Sequence, residues 1–302
     1  MNANQSRVIK ALKGILFHPI SSIKRIEYSL KRLIADQQFR FGKYNYPYRI
    51  IFIAGMPLSG TTWVKNLFGR IPGIFSRHTP MPYEVAFRQD ICDSAFKYVP
   101  KKGNTLIKTH LNPSKENIEC IKRNGVEKII VTYRDFRDAL LSHYHRLIAF
   151  PKPKDAYDYV DYRSMSKENA ISKLINFYGK EEIEWIEGWF AMNEKYPDQY
   201  YLVRFEDLKK DVFNEFQKML DFYGVELEKE ILEKIIEQSH GRKNMNQNIK
   251  DSYTLPFGIS SNFRSGEVGG WREEFSKDNI VHCKKIYGDA LIKFGYETNY
   301  DW

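Results

Sequence analysis

The amino-acid sequence predicts an α/β fold of three layers, α/β/α, with a central and mostly parallel sheet. Short apolar runs rich in β-branched residues recur along the chain, and stretches with helical periodicity separate them. Strands that alternate with helices in this way are typical of parallel sheets covered on both faces. No internal repeat and no Gly/Ser linker divides the chain. We therefore expect a single α/β domain over residues 47–302, preceded by an N-terminal arm over residues 1–46.

Four strands are predicted, and the first of them covers residues 50–54 (IIFIA). This uninterrupted apolar run indicates a strand buried on both faces. The other strands are predicted at residues 105–108, 128–133 and 200–205. Helices are predicted, in order, at residues 61–70, 136–148, 171–195, 208–223 and 229–237. The polar segment 241–270 has no periodicity, and a loop of that length is usually functional or mobile.

Composition and charge exclude several classes of protein. The 302 residues include 42% hydrophobic and 15% aromatic residues, which excludes global disorder. No uncharged apolar stretch reaches the roughly 18 residues that a transmembrane helix needs, and residues 8–20 do not resemble a signal peptide. The three cysteines, Cys92, Cys120 and Cys283, fit neither a disulfide framework nor a zinc site. We expect a protein of the cytoplasm.

The N-terminal arm is basic and amphipathic, and the net charge of the chain is 47 − 38 = +9. Its apolar residues recur at helical spacing, at Ile23, Ile26, Leu30, Leu33 and Ile34. Such a stripe normally packs on the domain that it precedes, and contact with an anionic membrane surface is the alternative. Nucleic acid is not an expected partner, because no zinc-finger, basic-zipper or RNA-binding pattern accompanies the charge.

Residues 55–62 (GMPLSGTT), termed here the phosphate loop, join the first predicted strand to a helix. Two glycines five residues apart at such a junction allow backbone N–H groups and a helix N-terminus to surround a phosphate. A nucleotide triphosphatase would carry lysine directly after the second glycine, where this chain has Thr61. The loop therefore predicts phosphate binding and argues against hydrolysis of ATP or GTP.

Residues 57–63 (PLSGTTW) closely resemble the 5′-phosphosulfate loop of the sulfotransferases that use 3′-phosphoadenosine 5′-phosphosulfate (PAPS). Residues 108–111 (KTHL) resemble the catalytic-base motif of that family, and residues 133–142 (YRDFRDALLS) resemble its 3′-phosphate motif. Residues 264–266 (RSG), with Gly-Trp at 270–271, resemble its C-terminal closing loop. The four motifs occur in the family's order and are closest in style to cytosolic sulfotransferases.

The resemblance implies an enzyme with a P-loop-like fold that transfers a sulfuryl group from PAPS to a hydroxyl or amine. The desulfated product would be adenosine 3′,5′-bisphosphate (PAP), and no metal is expected. In this resemblance the phosphate loop holds the 5′ side, an Arg–Ser pair and the closing loop hold the 3′-phosphate, and aromatic rings stack on adenine. The implied cofactor-binding residues are Ser59, Gly60, Thr61, Thr62, Trp63, Arg134, Ser142, Phe205, Arg264, Ser265 and Gly266.

The candidate catalytic residues are His110 and Lys108. An imidazole with an ordinary pKa of about 6.5 suits proton removal near neutrality. Lys108 would meet the negative charge of the transferring group and of the leaving phosphate. Residues two apart on a strand face the same side, so both side chains are expected to point into one cleft. The competing histidines are His78, His143 and His145.

One position departs from the family pattern. The family usually has lysine, or in some branches arginine, directly before Ser59, and this chain has Leu58. Three interpretations remain open: Lys108 or another basic residue substitutes, turnover is slow, or the protein is a non-catalytic homologue that binds PAPS or a bisphosphate. A P-loop kinase is a further alternative.

Segments 75–96 and 149–166 are expected to line the pocket of a small-molecule, sugar or lipid acceptor. Residues 275–281 do not match the family's dimer motif, so no oligomeric state is predicted.

Overall fold

The structure, a computed structural model, describes residues 44–76, 81–97, 99–100, 102–152, 159–239 and 266–302, with residues 30, 33–34, 37–42 and 154. Most of the N-terminal arm lies outside these ranges, as do Arg264 and Ser265, so the division into an arm and one domain stays a prediction. Leu30, Leu33 and Ile34 are each more than half exposed. The expected packing of the apolar stripe on the domain is therefore not seen at these three positions.

Five parallel strands form one sheet in the order β2-β3-β1-β4-β5. They are β1 (Ile50–Gly55), β2 (Ile74–Ser76), β3 (Asn104–Lys108), β4 (Ile129–Tyr133) and β5 (Tyr200–Arg204). From β1 the chain passes to the edge strand β2, returns to β3 beside β1, and then crosses β1 to place β4 and β5 on the other side. In such a sheet, ligands bind beyond the carboxyl ends of the strands where this reversal occurs. The carboxyl ends of β1, β3 and β4 therefore mark the expected site.

The helices of the described residues cover both faces of the sheet. They are α1 (Thr61–Phe68), α2 (Tyr83–Phe87), α3 (Lys115–Arg123), α4 (Phe136–Ala149), α5 (Lys167–Lys195), α6 (Phe205–Lys210), α7 (Val212–Phe222), α8 (Lys229–Ser239), α9 (Trp271–Glu274) and α10 (Lys277–Lys293). Side chains from α1, α7 and α8 pack on one face, and side chains from α3, α4, α5 and α10 pack on the other. The predicted three-layer α/β fold with a parallel sheet is confirmed.

Strand β1 shows how the sequence produces this arrangement. All six of its residues are buried. Ile51 and Ile53 belong to the core under α1, and Phe52 and Ala54 belong to the core under α4 and α5. Because neighbouring side chains on a strand point to opposite faces, a strand between two helical layers needs an unbroken apolar run.

The four predicted strands are confirmed to within one residue, and two local differences have physical causes. Strand β2 was not predicted because its three residues are too few to show a pattern. The single helix predicted over residues 208–223 is wrong: it divides into α6 and α7 at Asp211. The Asp211 carboxylate accepts a hydrogen bond from the Asn214 amide, which makes Asp211 the N-cap of α7.

Among the described residues, no helix combines the length and the apolarity that crossing a bilayer requires. Cys92, Cys120 and Cys283 are free thiols.

The interface between α5 and α10 contains a buried carboxyl group. Glu182 is 5% exposed, and the Tyr287 hydroxyl donates a hydrogen bond to its Oε2 at 3.1 Å. Burial raises the pKa of Glu182 from its ordinary value of 4.5 to about 8. The folded protein therefore holds this proton at a pH where the unfolded chain has released it.

We expect the Glu182→Gln variant to change how stability depends on pH. A group whose pKa is raised by folding stabilises the fold below its unfolded pKa, and this contribution is lost as pH rises through the folded value. Between pH 5 and pH 8.5 the wild type should lose free energy of unfolding relative to Glu182→Gln, by an amount on the order of a few kcal/mol. Urea denaturation at both pH values measures this. Glu184→Gln, at an exposed position of the same helix, is the control, and equal pH dependence in both variants would contradict the assignment.

Candidate functional site

The sequence-predicted site residues meet at the carboxyl edge of the sheet. The phosphate loop follows β1, Lys108 ends β3, Arg134 follows β4, and Phe205 follows β5. This is the edge at which the strand order reverses, so the topology and the motifs point to the same place.

Three hydroxyl groups hold the phosphate loop against β4. Ser59 Oγ donates to the Met56 carbonyl oxygen at 2.6 Å and lies 2.7 Å from Thr132 Oγ1. Thr61 Oγ1 lies 3.1 Å from Thr132 Oγ1. A Cβ on Gly55 would collide with both threonine side chains, which is why the strand ends in glycine. The Ser59 and Thr61 hydroxyls are thus buried and bonded within the protein, where they fix the loop against β4.

The donors that the phosphate loop can offer to a ligand are mainly backbone amides. Helix α1 has Gly60 as its N-cap with no side-chain capping bond, and the first amides of a helix have no partner within the helix. The Thr62 side chain is exposed at this end of α1. A helix N-terminus of this kind carries partial positive charge and binds phosphate and sulfate groups.

Two loop residues adopt left-handed backbone conformations, Leu58 with φ 64° and Gly60 with φ 82°. A Cβ on Gly60 would lie 2.7 Å from Phe205 Cδ2. Both this collision and the left-handed backbone therefore exclude a side chain at position 60. Leu58 is a larger residue in a conformation that non-glycine residues seldom adopt, and such strain is frequent at ligand sites.

Arg134 connects three of the four segments that carry the predicted motifs. Its side chain is 8% exposed. Nη1 donates to the Leu58 carbonyl oxygen at 3.4 Å and to Ser142 Oγ at 3.3 Å, and Nη2 donates to the Glu267 carbonyl oxygen at 2.6 Å. The guanidinium carbon lies 4.4 Å from the centre of the Phe205 ring. The predicted Arg–Ser pair is therefore in contact, at the position where the phosphate loop, α4, α6 and the C-terminal residues converge.

The aromatic residues predicted to hold adenine are also neighbours. The rings of Trp63 and Phe205 are 6.3 Å apart, centre to centre, and make an edge-to-face contact. They form one apolar wall beside Arg134, which suits a planar base attached to a phosphorylated ribose.

The described part of the closing loop is tied to α4 through a buried carboxylate. Asp138 accepts hydrogen bonds from the Gly269 amide at 2.7 Å and from the Trp271 amide at 3.2 Å. Of the three predicted closing-loop residues, only Gly266 lies within the described residues, and its φ is 65°. The docking of residues 266–271 places this described part of the closing loop on the Arg134 side of the site.

Arg137 anchors the same C-terminal residues and was not singled out from the sequence. Its side chain is 1% exposed and forms an ion pair with Asp135 at 2.7 Å. It also pairs with Glu297, and its guanidinium lies 4.0 Å and 4.4 Å from the ring centres of Trp271 and Trp302. A cation in contact with two indole rings is strongly held, but the sequence contains no pattern that connects these three distant positions.

His110 and Lys108 are in direct contact. His110 Nδ1 lies 2.6 Å from the Gly55 carbonyl oxygen, and His110 Nε2 lies 3.2 Å from Lys108 Nζ. A carbonyl oxygen only accepts, so Nδ1 carries the proton and Nε2 accepts from the ammonium group. The imidazole is therefore neutral, and its basic nitrogen points toward Lys108.

The pKa values of this pair reflect burial and crowding by positive charge. Burial, and then the charge of Lys108, lower the pKa of His110 from 6.5 to about 3. Burial, and then the charges of Lys65 and Arg146, lower the pKa of Lys108 from 10.5 to about 8. Perturbed pKa values of this kind are frequent at functional sites.

The other candidate histidines have different surroundings. His143 is buried and stacks on Tyr178 with ring centres 4.5 Å apart, and burial lowers its pKa to about 3. His145 Nε2 lies 2.7 Å from Glu274 Oε2 and joins α4 to α9. His78 lies outside the described residues. Of the histidines described, His110 is the one that contacts Lys108 and the phosphate loop.

These residues fit a ligand with two separated anionic groups and a planar ring. All the charges that shift the pKa of Lys108 are positive, and the helix N-terminus and Arg134 add further positive potential. A bound anion would relieve that repulsion. In the part of the chain that the structure describes, no cluster of three or more His, Cys, Asp or Glu residues could hold a metal ion.

The sulfotransferase domain family model matches residues 49–295. The chain belongs to the sulfotransferase family. This confirms the PAPS-dependent sulfotransferase resemblance found in the motifs.

Several sulfotransferases are similar to this chain over most of its length. Mouse sulfotransferase 1E1 is 25% identical over 272 residues, which cover 82% of this chain and 86% of that protein. Rat sulfotransferase 2A1 is 28% identical over 256 residues, covering 81% and 85%. The flavonol 3-sulfotransferase of Flaveria bidentis is 24% identical over 281 residues, covering 86% of each chain.

Solved structures of sulfotransferases share the fold. The mouse sulfotransferase SULT7A1, complexed with PAP, aligns with a TM-score of 0.60 at 17% identity and covers 87% of this chain and 90% of its own. A retinol dehydratase in complex with androsterone and the inactive cofactor PAP aligns with a TM-score of 0.57 at 18% identity and covers 82% of each chain.

We expect Lys108→Met to raise the pKa of His110, because it removes the nearest positive charge while keeping the length of the side chain. Histidine ring titration by NMR measures this shift directly. His143 is an internal control, because burial, Arg146 and Lys152 lower its pKa and Lys108 does not contribute. A pKa of His110 that stays where it was, or that moves no more than that of His143, would contradict the contact.

Proposed function

We propose that this protein transfers a sulfuryl group from PAPS to a hydroxyl or amine of a small-molecule, sugar or lipid acceptor, with His110 as the general base. Family membership supports sulfotransfer in general, and the neutral His110 with its Nε2 beside Lys108 is the observation that carries the specific assignment. PAPS, when bound, supplies the sulfuryl group and leaves as PAP. The chain's own residues bind the donor, orient the base and stabilise charge.

The donor would be held at two ends. The backbone amides of Gly60, Thr61 and Thr62 at the start of α1 face the 5′ side, since the helix leaves them without internal partners. Arg134 and Ser142 would take the 3′-phosphate, with Gly266 and, outside the described residues, Arg264 and Ser265 completing that side. The Trp63 and Phe205 rings would hold adenine. This arrangement explains why Arg134 is buried among the phosphate loop, α4, α6 and Glu267 and does not lie on the surface.

The base removes a proton from the acceptor. The bond from Gly55 fixes the His110 ring so that Nε2 holds the lone pair. As Nε2 takes the acceptor proton, the acceptor oxygen or nitrogen forms a bond to sulfur, and the bond between sulfur and the 5′-phosphate oxygen breaks. The electron pair of that bond stays on the phosphate, where Lys108 stabilises it.

Donor binding would also make His110 a better base. In the protein alone, Lys108 donates to Nε2 and lowers the pKa of the imidazole. An anion beside Lys108 offsets that charge and competes for the ammonium group, so the pKa of His110 should rise toward its ordinary range. The base would thus become available when the donor is in place.

Two alternatives from the sequence have clear signatures. A non-catalytic homologue would bind PAP but transfer no sulfuryl group to any of a panel of phenols, sugars and lipid head groups. A P-loop kinase would show Mg²⁺-dependent turnover of ATP. A membrane contact through the N-terminal arm and a cytoplasmic location stay predictions from the sequence.

The test is calorimetric titration with PAP, followed by the acceptor panel. Arg134→Ala should weaken PAP binding about 10- to 100-fold, because it removes a charged donor from the 3′-phosphate. Arg123→Ala removes an exposed arginine that pairs with Asp93 and should bind normally. His110→Asn should retain PAP binding and lose transfer. Absence of PAP binding by well-folded wild type, or normal transfer by His110→Asn, would refute the proposal.

A further inference from the structure

The phosphate loop itself contains no basic side chain. Residues 55–62 read GMPLSGTT, and Leu58 occupies the position between proline and Ser59. Sulfuryl transfer leaves negative charge on the oxygen that bridges sulfur and phosphorus. The proposed function has one cation, Lys108, beside that oxygen. Stabilisation of that charge by fixed cations is usually a large part of catalysis, so a second cation near the loop would matter.

The packing of α1 on β3 places one lysine in the right position. Leu106 and Lys108 lie two residues apart on β3 and therefore share a face. Leu106 belongs to the core under α1, and a Cβ on Gly69, the C-cap of α1, would lie 3.7 Å from Leu106 Cδ2. The C-terminal end of α1 thus lies over Leu106.

One turn back along α1 leads to Lys65. Helix α1 follows β1, and β1 is parallel to β3, so the helix runs back over the sheet in the opposite direction. Four helix residues, from Gly69 to Lys65, span about 6 Å. Two strand residues, from Leu106 to Lys108, span about 6.6 Å. Lys65 is therefore level with Lys108 and lies four residues after Thr61, on the same face of α1.

The electrostatics agree with this placement. Lys65 is partly buried, and burial lowers its pKa. Its charge also lowers the pKa of Lys108. Two partly desolvated ammonium groups close together destabilise a protein unless an anion lies between them. The two ammonium groups therefore favour an anion at the start of α1. Without an anion, their repulsion destabilises the folded protein.

We propose that Lys65 is a second cationic contact for the 5′-phosphosulfate and stabilises the leaving phosphate from the helix side, opposite Lys108. This inference rests on the proposed function and names a residue that the loop motif does not contain. It resolves the question that Leu58 raises, because the charge comes from the second turn of α1 instead of from the loop.

The primary test compares Lys65→Met with Lys180→Met. Both variants lose one positive charge, and Lys180 is 85% exposed on α5. Without ligand, Lys65→Met should unfold at a higher temperature than the wild type, by a few degrees, because it relieves the repulsion with Lys108. Its affinity for PAP should fall about tenfold. Lys180→Met should bind PAP as the wild type does.

Two further variants separate a charge effect from a packing effect. Lys65→Arg keeps the charge and should keep most of the affinity. Leu58→Lys added to Lys65→Met supplies a cation from the loop and should restore PAP binding and, with an acceptor found in the panel, the single-turnover rate. If neither variant recovers binding, the loss in Lys65→Met is structural and the inference is wrong.

The same measurements distinguish a failure of this inference from a failure of the proposed function on which it rests. No PAP binding by the wild type would refute the proposed function and this inference together. Alternatively, Arg134→Ala weakens PAP binding as expected, but Lys65→Met binds PAP as tightly as Lys180→Met. In that case the proposed function stands and only the role of Lys65 is refuted.

Discussion

The buried guanidinium of Arg134 is the contact on which the rest of the site depends. It donates to the Leu58 carbonyl, the Ser142 hydroxyl and the Glu267 carbonyl, and it lies over the Phe205 ring. These four partners come from four separate parts of the chain. A buried arginine is costly unless its donors are satisfied, so the segments that satisfy it are held at fixed positions. The geometry of the proposed cofactor site follows from that requirement.

Around this contact, one set of residues fixes the loops in place and another set remains available to bind a ligand. Buried hydroxyls fix the phosphate loop to β4, and Asp138 and Arg137 fix residues 266–271 to the start of α4. The groups that remain available at the sheet edge are a helix N-terminus and a set of lysines that repel one another. Rigid surroundings allow such charges to stay close without an anion, and this preorganisation is what makes them effective when an anion binds.

The fold and the position of the site could be predicted from the sequence because both depend on local patterns. The apolar run of β1, the two glycines of the phosphate loop and the spacing from Arg134 to Ser142 are all visible in the printed residues. Strand β2 could not be predicted, because an edge strand of three residues has no period to detect. The break at Asp211 was missed for a similar reason, since a capping aspartate interrupts an otherwise continuous helical pattern.

Within the site, the sequence identified positions more readily than roles. Ser59 and Thr61 belong to the loop motif, but their hydroxyls bond to Thr132 on another strand. Arg137 gains its importance from residues more than a hundred positions away. Lys65 reads as an ordinary helix residue until α1 is placed over β3. Each of these roles arises from contacts between elements, which periodicity and spacing do not encode.

In the proposed function, the site holds a nucleotide by two separate phosphates, one at the start of α1 and one at Arg134. The most direct measurement is calorimetric titration of the wild type with PAP and, in parallel, with adenosine 5′-monophosphate, which lacks the 3′-phosphate. A charge-assisted contact to the second phosphate predicts binding of PAP tighter by about 10- to 100-fold. Equal affinity for the two nucleotides would contradict the account, because Arg134 would then have no part in holding the ligand.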